Sequence, residues 1–269
     1  MHQTRQPAVA GAFYPEQAPA LAREVGAMLA AARLGVDASD QWPKAIIVPH
    51  AGYIYSGATA ARAYARLVSG RRMISRVVLL GPAHRVPVRG LALPGVDAFA
   101  TPLGSVMVDQ AAVAMLAALP QVVVSPAAHA TEHSLEVQLP FLQSALDDFK
   151  LVPLVVGNAT PAEVSQVLNL LWGGPETLIV VSSDLSHYLS YSQAQAMDHE
   201  TVMRILSLSS PVSHQQACGG TPISGLLLAA RQHGLPAHLL GVCNSGDTSG
   251  DKRRVVGYAA FEFTPGTRQ

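Results

Sequence analysis

Two hydrophobic rhythms alternate along the chain. Short, near-continuous apolar runs rich in β-branched residues read as strands: Ala45–Val48, Val77–Leu80, Leu151–Val156, Leu178–Val181, Ala237–Val242 and Val255–Phe263. Between them lie Ala/Leu-rich segments with apolar residues at helical spacing. These are Ala18–Ala32, Gly57–Val68, Asp109–Ala118, Glu132–Leu146, Pro161–Trp172, Ser192–Leu208 and Pro222–Gln232. Runs that are apolar at almost every position suit strands covered on both faces. Strand–helix alternation then predicts an α/β fold, a three-layer αβα arrangement with a largely parallel central sheet. No repeat, low-complexity tract or long linker interrupts the pattern, so residues 1–269 read as one domain.

Composition narrows the picture. Hydrophobic residues make up 49% and charged residues 13%, which is enough apolar material for a large core. The formal net charge is zero and the Lys and Arg residues are scattered, which argues against nucleic acid as a partner. Arg23, Glu24 and Arg33 bound the Ala-rich stretch near the N-terminus, and no apolar run reaches the roughly 18–20 residues of a membrane span. Met1 to Pro7 is polar and lacks a signal core, so a cytoplasmic location is expected.

The residues that can do chemistry cluster just past the strands. Ala45–Val48 leads into Pro49-His50-Ala51-Gly52-Tyr53, and Val77–Leu80 into Gly81-Pro82-Ala83-His84. Leu178–Val181 leads into Ser182-Ser183-Asp184-Leu185-Ser186-His187, and Ala237–Val242 into Cys243-Asn244-Ser245-Gly246-Asp247. Ligands of open α/β sheets bind beyond the carboxyl ends of the strands. One histidine after a strand is more often a loop or capping residue than a ligand, but four polar tips in one chain point to a shared cleft. Imidazoles suit iron, copper, zinc and nickel, and two His with one carboxylate and open positions suit ferrous iron. His50 and His84 are the candidate imidazoles, and Asp247 the candidate carboxylate, with Cys243 as a softer substitute. Asp184, three residues before His187, is a candidate partner for that ring, leaving His187 as a general base or a further ligand. The two cysteines, Cys218 and Cys243, are too few for a disulfide framework and read first as buried thiols.

Three further stretches have competing readings. His129-Ala130-Thr131-Glu132-His133 matches the H-x-x-E-H pattern of zinc peptidases, but Pro126 places His129 before the expected helix and breaks that geometry. His133 and Glu136 would then share a helix face, with His133 otherwise a helix-start residue making local hydrogen bonds. Tyr53 offers a hydroxyl to a substrate or packs structurally. Gly219-Gly220-Thr221-Pro222 reads as a helix start, with Thr221 as cap and Pro222 in the first turn, or as an anion site. G-x-S-x-G and G-x-G-x-x-G are absent, which disfavours an elbow-type serine hydrolase and a Rossmann dehydrogenase.

Taken together these stretches resemble the Memo family, including the B component of the AmmeMemoRadiSam system. The likeness rests on Ala8–Pro15, Val48–Tyr53 with Ser56-Gly57, Gly81–His84, Glu132–Pro140, Ser182–His187 and Val256–Ala259, in order along nearly the whole chain. The resemblance implies a fold similar to class III extradiol dioxygenases, which hold ferrous iron on two His and a carboxylate. It implies His50 and His84 as metal ligands and His187, with Asp184 beside it, as the acid/base. In animal Memo proteins a cysteine near the C-terminal strand completes the pocket. Counted back from Tyr258, that position falls here on Thr248, next to Asp247, with Cys243 five residues earlier.

The expected assignment is therefore His50, His84 and Asp247 for a divalent metal, Fe(II) first and Cu or Zn as alternatives. His187, Asp184 and His133 would handle protons, and Tyr53, Glu136 and Cys243 would contact a small-molecule or peptide ligand. Three functions are compatible with this set. The first is a dioxygenase-like redox enzyme. The second is a binding component working beside AMMECR-type and radical SAM proteins, with a vestigial pocket. The third is a metal-dependent hydrolase using His129, His133 and a distant carboxylate.

Overall fold

The computed structural model describes residues 3–34, 41–248 and 250–265. Its strands are β1 (Thr4–Arg5), β2 (Ala45–Val48), β3 (Arg76–Pro82), β4 (Leu91–Leu93), β5 (Ala98–Thr101), β6 (Gly104–Met107), β7 (Val122–Val124), β8 (Lys150–Val156), β9 (Thr177–Ser182), β10 (His187–Leu189), β11 (Ala237–Asn244) and β12 (Val255–Phe263). The helices are α1 (Ala18–Arg33), α2 (Tyr53–Ala65), α3 (Gln110–Leu116), α4 (Pro126–Ala130), α5 (Leu139–Ala145), α6 (Pro161–Leu170), α7 (Tyr191–Leu206), α8 (Gly220–Gln232) and α9 (Ser245–Thr248).

The centre of the main sheet is parallel, in the order β2-β9-β3-β8. Its flanks are not. β12 runs antiparallel to β2, with β10 and β11 antiparallel to β12, and β4 is antiparallel to β8 with β7 beyond it. β1, β5 and β6 form a small separate sheet. Alternate residues of the central strands feed two cores. Ile46, Leu79 and Val180 face one core, with Val25 of α1, Tyr64 of α2 and Phe141 of α5. Ile47, Leu80 and Val181 face the other, with Val167 of α6, Val202 of α7 and Leu226 of α8. Both faces are covered, as the unbroken apolar runs require. Truncating a residue such as Leu79 to Ala would cost about 2–5 kcal/mol. Among the described residues, no helix is long and apolar enough to cross a membrane.

Three elements depart from the sequence reading. The segment expected as one helix, Glu132–Leu146, is a turn, then a 3-10 turn over Glu136–Gln138, and a helix only from Leu139. Pro140 explains it: with no N–H it cannot donate back to residue 136 and fits only the first turn. Helix α2 begins at Tyr53, four residues before the expected Gly57. Gly57 is a close-packing position and not a boundary, because a Cβ there would lie 2.6 Å from Met28 Sδ of α1. At α8, Gly219 is the N-cap residue, and Thr221 bonds His214 instead of capping. The Gly219 and Gly220 amides bond Ser183 Oγ and the Ala217 carbonyl, so they are not free for an anion.

Candidate metal centre

Two parallel strands of the sheet centre deliver the first ligands. His50 follows β2 and His84 follows β3, with β9 between them. The third comes from the turn after α4. This turn lies across the strand ends: Ser134 Oγ donates to the Pro82 carbonyl at 3.0 Å, and Ser182 Oγ to the Ser134 carbonyl at 2.6 Å. Gly81 makes the approach possible, since a Cβ there would meet Ser134 Oγ at 2.6 Å. The result is a triangle of His50, His84 and His133, each offering one ring nitrogen, all within 4.8 Å of one another.

Hydrogen bonding fixes the tautomers. Ser182 has one proton and gives it to the Ser134 carbonyl, so it must accept from His50 Nδ1 at 2.9 Å. His50 Nδ1 therefore carries hydrogen and Nε2 keeps its lone pair. Glu132 does the same for His84, accepting from Nδ1 at 2.9 Å and from the His84 backbone N at 2.6 Å. Burial tends to raise the Glu132 carboxyl, but the His84 ring and the Ser134 and His84 amides overcome it and hold it down to about 2. Burial, with the neighbouring His84 and His133, pushes His50 well below its usual range, and burial brings His133 to about 4. These two rings are thus neutral near pH 7, the state a metal requires. Among the described residues His133 Nδ1 is buried without a hydrogen bond, and Glu132 Oε1 lies 3.5 Å away. An orphaned buried nitrogen in a set of converging imidazoles fits a metal-binding pocket.

His187 and Asp184 flank the triangle in a different relation from the one expected. His187 Nδ1 donates to the Leu185 carbonyl at 2.8 Å, not to Asp184, and Nε2 has no partner among the described residues. Burial, opposed by that bond, and the nearby His84 lower its pKa. Asp184 accepts from the His50 and Ala51 amides at 2.7 and 3.3 Å, and its other oxygen lies 4.0 Å from His50 Nε2. Burial outweighs those amides and lifts the carboxyl to about 7. With His50 driven neutral, this contact is not an ion pair.

Four expected site residues are elsewhere. Asp247 bonds the Tyr191 hydroxyl and the Asn244 amide and lines a separate cleft with Cys243 and His199. The cause is topological: β11 lies beyond β12, four strand spacings from β3, about 19 Å. Cys243 Sγ contacts Thr59 Oγ1 at 3.1 Å. The Tyr53 hydroxyl donates to the Val137 carbonyl inside the core. Glu136, fully buried, is consumed by Arg5, the Tyr14 hydroxyl and the Ala8 and Val9 amides. His129 Nε2 bonds the Ala92 carbonyl, with the ring edge-on to Phe99 at 5.9 Å. It does not join His133, which removes the geometry the hydrolase reading needs.

The thiol at the site is Cys218, not Cys243 and not position 248. Its Sγ lies 3.3 Å from His50 Nε2, in the loop before α8, and burial pushes it up to about 12. Its sequence signal is the Cys-Gly-Gly-Thr-Pro helix start, where the glycines draw the eye and the thiol does not. Beside the triangle opens a cleft of about 480 Å³. Its walls are the stretch after β3 with His84 and Arg85, the β8 tip with Asn158, and His214 and Cys218.

A doubly covered α/β sheet gathers three histidines at its parallel strand ends, in a group that could hold a metal ion. A family profile described as Memo-like protein matches residues 5–262. A MEMO1 family protein of Methanosarcina barkeri is 36% identical over 275 residues, covering 96% of this chain and 98% of its own. One from Aquifex aeolicus is 35% identical, covering 97% and 99%. One from Saccharolobus islandicus is 39% identical over 234 residues, 81% of each chain. The chain belongs to the Memo-like family. An uncharacterized protein of Escherichia coli K12, known from its crystal structure, shares the fold at 16% identity and a TM-score of 0.51, covering 81% of this chain and 98% of its own.

Proposed function

We propose that this Memo-like protein holds one divalent transition-metal ion on His50, His84 and His133 and acts with it on a small organic substrate, in a dioxygenase-like manner. The observation that carries this is the triangle of ring nitrogens within 4.8 Å. When bound, a ferrous ion supplies redox chemistry and Lewis-acid polarisation of a coordinated group. The chain supplies the rest. Ser182 and Glu132 hold the tautomers of His50 and His84. His187 Nε2, left free by the Leu185 contact, takes a proton from a substrate hydroxyl. Cys218 stands beside His50 as a protonated thiol and would be a soft neighbour to a cation held there.

The test is metal content after anaerobic purification, in the wild type and in His50→Ala, His84→Ala and His133→Ala. The reading expects close to one iron, copper or zinc per wild-type chain and at least tenfold weaker binding in each variant. Equal, negligible metal in all four proteins rejects it. Partnership with AMMECR-type and radical SAM proteins belongs to the same proposal, and a pull-down on the metal-loaded protein tests it.

A further inference from the structure

We infer that the cleft beside the triangle selects small organic carboxylates, with Arg85 as the residue that binds the carboxylate. This deepens the metal reading and rests on it for where the chemistry occurs. Binding of the anion itself needs only the cleft.

The first observation is the charge of the lining. Arg85 is the residue after His84, it is exposed in the cleft wall, and no Asp or Glu among the described residues joins it there. The second is that Arg85 is uncommitted. Among the described residues it makes no ion pair, hydrogen bond or ring stack, whereas Arg5, Arg66, Arg71 and Arg76 each hold an acid. A fixed cation beside three imidazoles works against a bound metal ion unless an anion joins them. A guanidinium offers a planar fork that matches a carboxylate.

The other walls set the body of the ligand. Val86, Val88 and Val156 give the cleft an apolar side. His214 is not a second anion site, because both its ring nitrogens are engaged, by the Cys218 carbonyl and Thr221 Oγ1, each at 3.3 Å. Asn158 lies at the β8 tip with its side-chain amide unbonded among the described residues, and can serve a second polar group of the ligand. A volume of about 480 Å³ admits a single-ring or short-chain acid with room to spare. The class is therefore an apolar-bodied carboxylate, its acid on Arg85 and its far polar end toward His84 and Cys218.

The probes are benzoate and its neutral isostere benzamide, titrated by NMR into metal-free protein, with Zn²⁺ titrated separately. Wild type should bind benzoate about tenfold more tightly than benzamide, a difference of about 1.4 kcal/mol. Shift changes should centre on the cleft walls, and the preference should weaken with salt. Arg85→Gln should abolish the preference and Arg85→Lys should keep most of it. The inference is overturned by equal affinities in wild type, by an unchanged preference in Arg85→Gln, or by no binding of either probe. The two readings separate cleanly. Zn²⁺ binding without benzoate binding sinks only the carboxylate assignment. Benzoate binding without Zn²⁺ binding supports the cleft and removes the metal.

Discussion

Ser182→Ala is the most exacting test of the site, because one hydroxyl carries three roles. It donates to the Ser134 carbonyl at 2.6 Å, accepts from Gln138 Nε2 at 2.8 Å and accepts from His50 Nδ1 at 2.9 Å. All of these groups are buried. Each orphaned buried polar group costs about 1–3 kcal/mol, but Gln138 keeps its bond to the Pro49 carbonyl. The expected loss is about 2–4 kcal/mol, which leaves a domain of ordinary stability folded. The functional consequence is separate. Without its acceptor, His50 Nδ1 no longer has to carry the hydrogen, and Nε2 is no longer guaranteed bare. Loss of such a supporting partner weakens metal binding about 10–100-fold. Denaturant unfolding measures the first effect, and Zn²⁺ competition titration well below the unfolding transition measures the second. In metal-free wild type, ¹⁵N NMR of the imidazole should show hydrogen on His50 Nδ1. An Nε2–H tautomer in wild type, or unchanged metal affinity in a folded Ser182→Ala, would refute the tautomer argument.

The remaining predictions separate structural from functional groups. Asp247→Asn should leave metal affinity unchanged, since its carboxylate serves Tyr191 and Asn244; a tenfold loss would restore it as a ligand. Arg5→Met strands the buried Glu136 carboxylate and should cost about 3–5 kcal/mol in unfolding free energy while sparing metal binding. His129 sets a pH dependence: burial lowers it from 6.5 to about 4, so the unfolded chain takes up its proton first as pH falls. Stability should decline through that window, the His129 share reaching about 3 kcal/mol below it. His129→Gln, which preserves the donor to Ala92, should flatten the slope, and an unaltered slope would count against the assignment. Gly81→Ala drives a methyl into Ser134, and should destabilise by about 1–3 kcal/mol and shift the metal-titrated resonances of His133.

The strands that place the site are legible in the sequence because burial on both faces leaves their interiors almost wholly apolar, with Glu262 of β12, paired to Arg66, the exception. β2 and β12 have the boundaries that their apolar runs predict, and β3, β8 and β9 differ by one or two residues at their ends. His50, His84 and His187 emerge from that pattern, since a polar residue just after such a strand has one end of the sheet to occupy. The short strands β4, β5, β6 and β7 are not legible. Each has three or four residues, held by pairing across the chain more than by its own periodicity. His133 reads as a helix-start residue because Val137, Leu139 and Leu142 suggest one helix, and Pro140 outweighs that periodicity in the fold. Asp247 is overvalued by sequence for a related reason. β11 points the same way as β2, so its tip is polar and correctly aimed, but the antiparallel β12 stands between them. Strand direction can be inferred from sequence, whereas strand order cannot.

The donor set narrows the chemistry further. Three imidazoles contribute no negative charge, and the thiol at 3.3 Å from His50 is a soft neighbour. Mg²⁺ and Ca²⁺ demand oxygen ligands and fit this triangle poorly, while iron, zinc and copper accept nitrogen and sulfur. The two buried acids nearby are placed to support and not to ligate. Glu132 spends its oxygens on His84 and the Ser134 amide, and Asp184 accepts the His50 and Ala51 amides. Charge balance around a divalent ion must then come from Cys218 or from an arriving ligand. The cleft wall carrying Cys218 also carries His84 and Arg85, so the uncompensated face of the triangle is the open one. A pocket that builds its ligands from neutral rings, keeps its acids one layer back and leaves a free guanidinium at its mouth is arranged to receive an anion.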